Sequence, residues 1–84
     1  MGKTVDIASA FGVALRKLRL SKELTQEQLG FEAGLRRTFI SSLELGEKQP
    51  SLATIQKLSD VFSLSLAKFM QKVEDELNAP KSKG

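Results

Sequence analysis

Residues 24–46 read Leu24-Thr-Gln-Glu-Gln-Leu-Gly-Phe-Glu-Ala-Gly-Leu-Arg-Arg-Thr-Phe-Ile-Ser-Ser-Leu-Glu-Leu-Gly46. Thr25 stands three residues before Gln28, so its hydroxyl can cap a helix while the Gln28 amide reaches back to the Thr25 backbone. The spacing predicts a helix from about Gln26 to Ala33 with Leu29 and Ala33 as its apolar positions. Gly34 can adopt the left-handed conformation that ends it. After the short turn Gly34-Leu35-Arg36, a second helix is expected from about Arg37 to Leu45, burying Ile40 and Leu43 and stopping at Gly46. Gly30 has no side chain to hold the second helix away. Leu29, Ala33, Leu35, Ile40 and Leu43 then fill the wedge between two helices held in one close crossing.

The flanking segments are helical as well. Ile7, Phe11, Leu15 and Leu18 recur at spacings of four, four and three, one face of a preceding helix over about 7–20. Beyond the polar loop Glu47-Lys48-Gln49-Pro50, Ser51 is placed to cap a fourth helix with Leu52, Ile55, Leu58 and Phe62 on its apolar side. Ser65 is placed to cap a fifth, whose stripe is Leu66, Phe69, Met70, Val73 and Leu77. Pro80 and the small and charged residues around it predict a frayed tail over 78–84. No strand pattern and no repeat is present. The expectation is an all-α chain, a five-helix domain over residues 1–77 followed by that tail.

Composition narrows the function. The chain has 84 residues, 40% apolar and 27% charged, which describes one small soluble domain. Cysteine and histidine are absent, removing thiolate nucleophiles, the imidazole base and the common metal ligands together. An enzyme is therefore not expected, nor a cofactor, a metal or a small-molecule ligand. No run approaches the ~20 apolar residues that span a bilayer, and the start lacks a signal-peptide core, so the expected compartment is the cytoplasm, with no membrane partner. Thirteen Lys and Arg against ten Asp and Glu leave a net charge of +3, compatible with a polyanionic partner. A domain this small buries only about 60% of its unfolded surface, so a partner subunit would widen a narrow stability margin.

The close helix pair meets the requirement of a helix-turn-helix. The runs Leu24-Thr-Gln-Glu-Gln-Leu-Gly30, Ala33-Gly-Leu, Arg37-Thr-Phe-Ile-Ser41, Leu43-Glu-Leu-Gly46 and Pro50-Ser-Leu together resemble the Cro/repressor-like (Xre-type) helix-turn-helix family over about residues 8–70. The Arg-Thr-Phe-Ile-Ser run looks like that of restriction-modification controller proteins. The resemblance implies a compact repressor-like domain that binds double-stranded DNA, with the helix around residues 36–45 as the recognition helix.

That helix begins with Arg36, Arg37 and Thr38, and Ser41 and Ser42 follow one turn later. These five are the candidate base contacts. Arginine can donate two hydrogen bonds to guanine O6 and N7, and threonine can meet a thymine methyl. As plain surface charges the two arginines would be poorly placed, because cations at a helix N-terminus oppose the macrodipole. Where Arg36 stands, family members often carry a capping side chain. The resemblance further implies that Gln26 contacts a phosphate and that Phe39 lies against the sugar-phosphate backbone, although bracing of the helix explains Phe39 equally well. Lys17, Lys48 and Gln49 flank the expected groove as candidate backbone contacts; solubility is their other reading. Arg19 and Glu44 match positions that form a structural ion pair in the family.

One helix-turn-helix reads few bases, so such modules commonly pair. The stripe Leu66, Phe69, Met70, Val73 and Leu77 with Phe62 exceeds what the fifth helix needs to cover a four-helix core, which points to a homodimer through that helix. The alternative is that these residues complete the intramolecular core. Phe31 lies off the buried phase of its helix and either packs locally or meets a partner. Two functions follow: a transcriptional regulator bound as a homodimer to a pseudo-palindromic operator, or an antitoxin-like protein-interaction module with secondary DNA binding.

Overall fold

In the computed structural model, which describes residues 6–79, four of the five helices start on an oxygen cap. The helices are α1 (Ile7–Ser21), α2 (Gln26–Ala33), α3 (Arg37–Glu44), α4 (Leu52–Val61) and α5 (Leu66–Leu77). Asp6 caps α1, accepting from the Ser9 N–H at 2.9 Å. At α2 the capping box is complete: the Gln28 N–H donates to Thr25 Oγ1 at 3.0 Å and the Thr25 N–H to Gln28 Oε1 at 2.8 Å. Ser51 and Ser65 cap α4 and α5 in the same way. The helix starts expected from Thr25, Ser51 and Ser65 are therefore met by the bonds that predicted them. Asn78 caps the end of α5. Residues 1–5 and the tail positions 80–84 lie outside the described residues.

Gly34 ends α2 at φ 71°, as its place in the sequence predicts, and Gly46 follows α3 at φ 75°. Two further left-handed residues are not glycines. Glu23 and Ser63 stand at φ 57° and 56°, one residue past the C-caps of α1 and α4. In both turns the next leucine folds back: the Leu24 N–H donates to Arg19 O at 3.1 Å and the Leu64 N–H to Ser59 O at 2.9 Å. Each leucine is thereby turned onto the core.

The core joins Phe11 and Leu15 of α1, Leu29 of α2, Ile40 and Leu43 of α3, Ile55 and Leu58 of α4, and Phe69 and Val73 of α5. Helix α5 lies along α1, while α3 is wedged between α1 and α2. The Phe69 ring meets Phe11 edge-on at 5.5 Å and lies nearly parallel to Phe62 at 6.4 Å. Burial of a ring of this size contributes about 3 kcal/mol.

This packing corrects part of the expected dimer surface. Phe69 and Val73 are fully buried within the chain and Phe62 is 7% exposed, so these three cannot meet a second subunit. Phe69 and Val73 are the inner edge of the stripe, on the helix that lies along α1, and Phe62 stacks on Phe69. Leu66 remains exposed and Met70 and Leu77 half-buried on its outer edge, where Ile7, Met70 and Leu77 share a shallow groove. Among the described residues no helix is long and apolar enough to cross a membrane.

Candidate nucleic-acid interface

Helix α3 turns Ile40 and Leu43 inward, and at 100° per residue this puts Thr38, Ser41 and Ser42 on the opposite side. Thr38 is exposed, Ser41 and Ser42 are half-buried, and Arg37 flanks them from the first helical position. Arg36 is the N-cap and supplies no capping bond, so its side chain is exposed and uncommitted to the helix end. The five residues expected to touch bases thus occupy one end and one face of a single helix. Leu45, just past the end of that face, is 67% exposed and is not among the residues that the sequence singled out.

Two close approaches hold α3 from behind. A Cβ at Gly30 would stand 2.5 Å from the Leu35 carbonyl oxygen, and the Leu35 N–H donates to Gly30 O at 2.8 Å. Gly30 therefore closes the turn between the helices rather than merely thinning their contact. A Cβ at Gly12 would stand 2.5 Å from the carbonyl oxygens of both Leu43 and Glu44, so α1 and α3 touch backbone to backbone. Gly12 escaped the sequence reading, although a glycine inside an otherwise strong helix, which costs about 1 kcal/mol relative to alanine, is itself a signal of such an approach.

Arg19 and Glu44 form the ion pair that the resemblance implied. Arg19 Nε donates to Glu44 Oε2 at 2.6 Å and a terminal nitrogen to Oε1 at 3.0 Å, with side chains only 10% and 3% exposed. The other terminal nitrogen donates to Leu24 O at 2.9 Å. The hydrogen bond to Glu44 raises the Arg19 pKa above its ordinary value, and the Glu44 charge adds to this against the opposing effect of burial.

The expected backbone contacts divide. Lys48 and Gln49 are exposed in the turn that follows α3. Phe39 is half-buried and packs on the core, which supplies the bracing role. Gln26 sits at the start of α2, yet its Nε2 donates to Glu44 Oε1 at 3.1 Å. Lys17 is not brought to this surface: its Nζ pairs with Glu76 Oε2 at 2.6 Å, on the side of α1 that faces α5. Phe31 is 87% exposed on the outer side of α2, away from the α3 packing.

A helix-turn-helix family model matches residues 15–69, most of the chain and all of this surface. The chain belongs to the helix-turn-helix family. Among its relatives, the control protein C.BamHI of Bacillus amyloliquefaciens is 46% identical over 57 residues, covering 67% of this chain and 70% of its own. The crystal structure of the restriction-modification controller protein C.AhdI from Aeromonas hydrophila is 35% identical with a TM-score of 0.71, covering 74% of this chain and 94% of that one. The controller C.Esp1396I bound to a 25 base pair operator site is 25% identical with a TM-score of 0.76, covering 86% of this chain and 95% of that one. The Xre-type resemblance to controller proteins and the all-α fold it implied both hold.

Proposed function

We propose that this protein is a sequence-specific, DNA-binding transcriptional regulator that works as a homodimer on a pseudo-palindromic operator. The observation that carries the reading is α3: Arg37, Thr38, Ser41 and Ser42 are presented together while Gly12, Gly30 and the Arg19–Glu44 pair fix the helix from behind. Arg37 and Arg36 are the principal donors to guanine edges, Thr38, Ser41 and Ser42 make the shorter contacts, and Lys48 and Gln49 serve the phosphates. The relatives described as controllers, one of them bound to an operator site, support the same role. This is the work of a non-enzymatic protein of the cytoplasm.

Two recognition helices read successive major-groove turns when they stand about 34 Å apart. The surface on which a second copy would pair is Leu66, Met70 and Leu77 together with Ile7, the outer part of the stripe that the core leaves uncovered.

Selection of bound duplexes from a random DNA pool at about physiological salt, where phosphate contacts alone bind weakly, tests the reading. An enriched inverted repeat is expected, and Arg37→Ala should weaken its binding by about 1–3 kcal/mol and relax one base position. No enrichment would overturn the regulator in favour of the protein-interaction module, the reading that the exposed Phe31 favours.

A further inference from the structure

Three contacts fix which edge of α1 borders α3. Ser9 lies beside Gly46, where an added Cβ would stand 3.1 Å from the Ser9 hydroxyl oxygen. Gly12 meets the carbonyl oxygens of Leu43 and Glu44, and Arg19 holds the Glu44 carboxylate. At about 100° per residue, Gly12 and Arg19 share one side of α1, about 80° round from the core positions Phe11, Leu15 and Leu18. Arg16 is turned about 50° further, away from the core. It therefore stands on the rim where the outside of α1 meets the outer face of α3, the face of Thr38, Ser41 and Ser42. Lys17, one residue on, is turned about another 100° to the side of α5, where it pairs with Glu76.

Arg16 carries a charge that the fold leaves unused. Its side chain is exposed, and the two ion pairs among the described residues, Lys17–Glu76 and Arg19–Glu44, leave it out. Glu44, the acid at the α1–α3 contact, is already held by two bonds from Arg19 and one from Gln26, and its side chain is 3% exposed. The residues three and four positions from Arg16 are Gly12, Val13, Arg19 and Leu20, so no acid balances it within α1 and Arg19 repels it. A cation that stabilises neither its helix nor a helix contact, on the rim of a DNA-reading face, suits an anion brought there from outside.

We propose that Arg16 is the phosphate contact of α1, in the role for which Lys17 was the expected residue. The proposal rests on α3 being the DNA-reading helix. The guanidinium can donate two parallel hydrogen bonds to one phosphate, in addition to the contacts of Lys48 and Gln49 in the turn after α3. Such a contact holds any duplex, whatever its sequence, and sets the register in which α3 meets the bases.

The test measures affinity against salt for the parent, Arg16→Ala, Arg16→Lys and Lys68→Ala, on the duplex enriched by selection and on a scrambled duplex of equal length. Lys68 is exposed on α5, and its loss makes the same change in net charge. Arg16→Ala is expected to weaken both duplexes several-fold at low salt and to flatten the slope of log affinity against log salt by about 0.9, the share of one phosphate. From about 50 to about 200 mM salt its gap from the parent should then narrow about 3.5-fold. Arg16→Lys should recover most of the slope, Lys68→Ala should keep that of the parent, and Arg16→Ala should melt where the parent does. An unchanged slope in Arg16→Ala, or an equal flattening in Lys68→Ala, would overturn the proposal. So would a loss confined to the selected duplex, which would make Arg16 a reader of bases. Arg37→Ala separates the underlying reading: if that variant binds the selected duplex as well as the parent does, α3 is not the reading helix. If it loses affinity while Arg16→Ala keeps the parent slope, only the phosphate contact fails. If selection enriches no duplex, the regulator reading has failed, and the slope on the scrambled duplex alone decides whether Arg16 holds a phosphate.

Discussion

Arg19 of α1 and Glu44 of α3 meet at 2.6 Å through a nearly buried ion pair that also reaches Leu24 and Gln26. The pair fastens α3 to α1 at the C-terminal end of α3. Its chemistry gives the first prediction: Glu44→Ala leaves an unpaired guanidinium in a site that excludes water and should cost about 3–5 kcal/mol. Urea unfolding measures it. The pair provides no switch near neutrality. The Arg19 pKa is raised in the folded chain, so its stabilisation is complete below the ordinary arginine value and is lost only as pH climbs through the raised one.

Gly12→Ala and Gly34→Ala should fail for different reasons. At Gly12 the added carbon meets two carbonyl oxygens at 2.5 Å, so α1 and α3 must part, at a cost of about 1–3 kcal/mol and with weaker operator binding. At Gly34 nothing lies within 4 Å, and the penalty is the strain of φ 71°, about 1 kcal/mol, which should lower the melting temperature with a smaller effect on DNA binding. Calorimetry and operator titration of both variants separate crowding from backbone strain.

Glu23 and Ser63 hold left-handed backbone that glycine adopts without strain. Glu23→Gly and Ser63→Gly should each raise stability by about 0.5–1 kcal/mol, the relief of strain exceeding the added chain entropy. A lower melting temperature in either would show that the side chain contributes more than its backbone costs.

Charge placed on the two edges of the α5 stripe should produce opposite outcomes. Val73 is fully buried, so Val73→Glu should unfold the chain. Met70 lies half-buried beside Ile7 and Leu77, so Met70→Glu should leave a folded chain that light scattering finds monomeric. A dimeric Met70→Glu variant would place the pairing surface elsewhere.

Much of this fold was legible before any coordinates, and the residues show why. Thr25 with Gln28, Ser51 and Ser65 announce helix starts through bonds that span three residues, and Gly34 announces an end through its own φ. The apolar spacing of α1, α4 and α5 similarly reports a face within a few turns. Arg37 and Thr38 could be placed on an outer face because Ile40 and Leu43 fix the inner one.

What the chain alone determined, then, was the five helices, the tight α2–α3 turn and the basic start of α3, because each depends on residues within a turn or two of one another. What only the tertiary structure decided was which edge of the α5 stripe the core takes, the contact of Gly12 with the end of α3, the diversion of Lys17 to Glu76 and the bond from Gln26 to Glu44. These depend on how one helix is rotated and crossed against another. Helical periodicity says which residues share a face, and only packing says what that face meets.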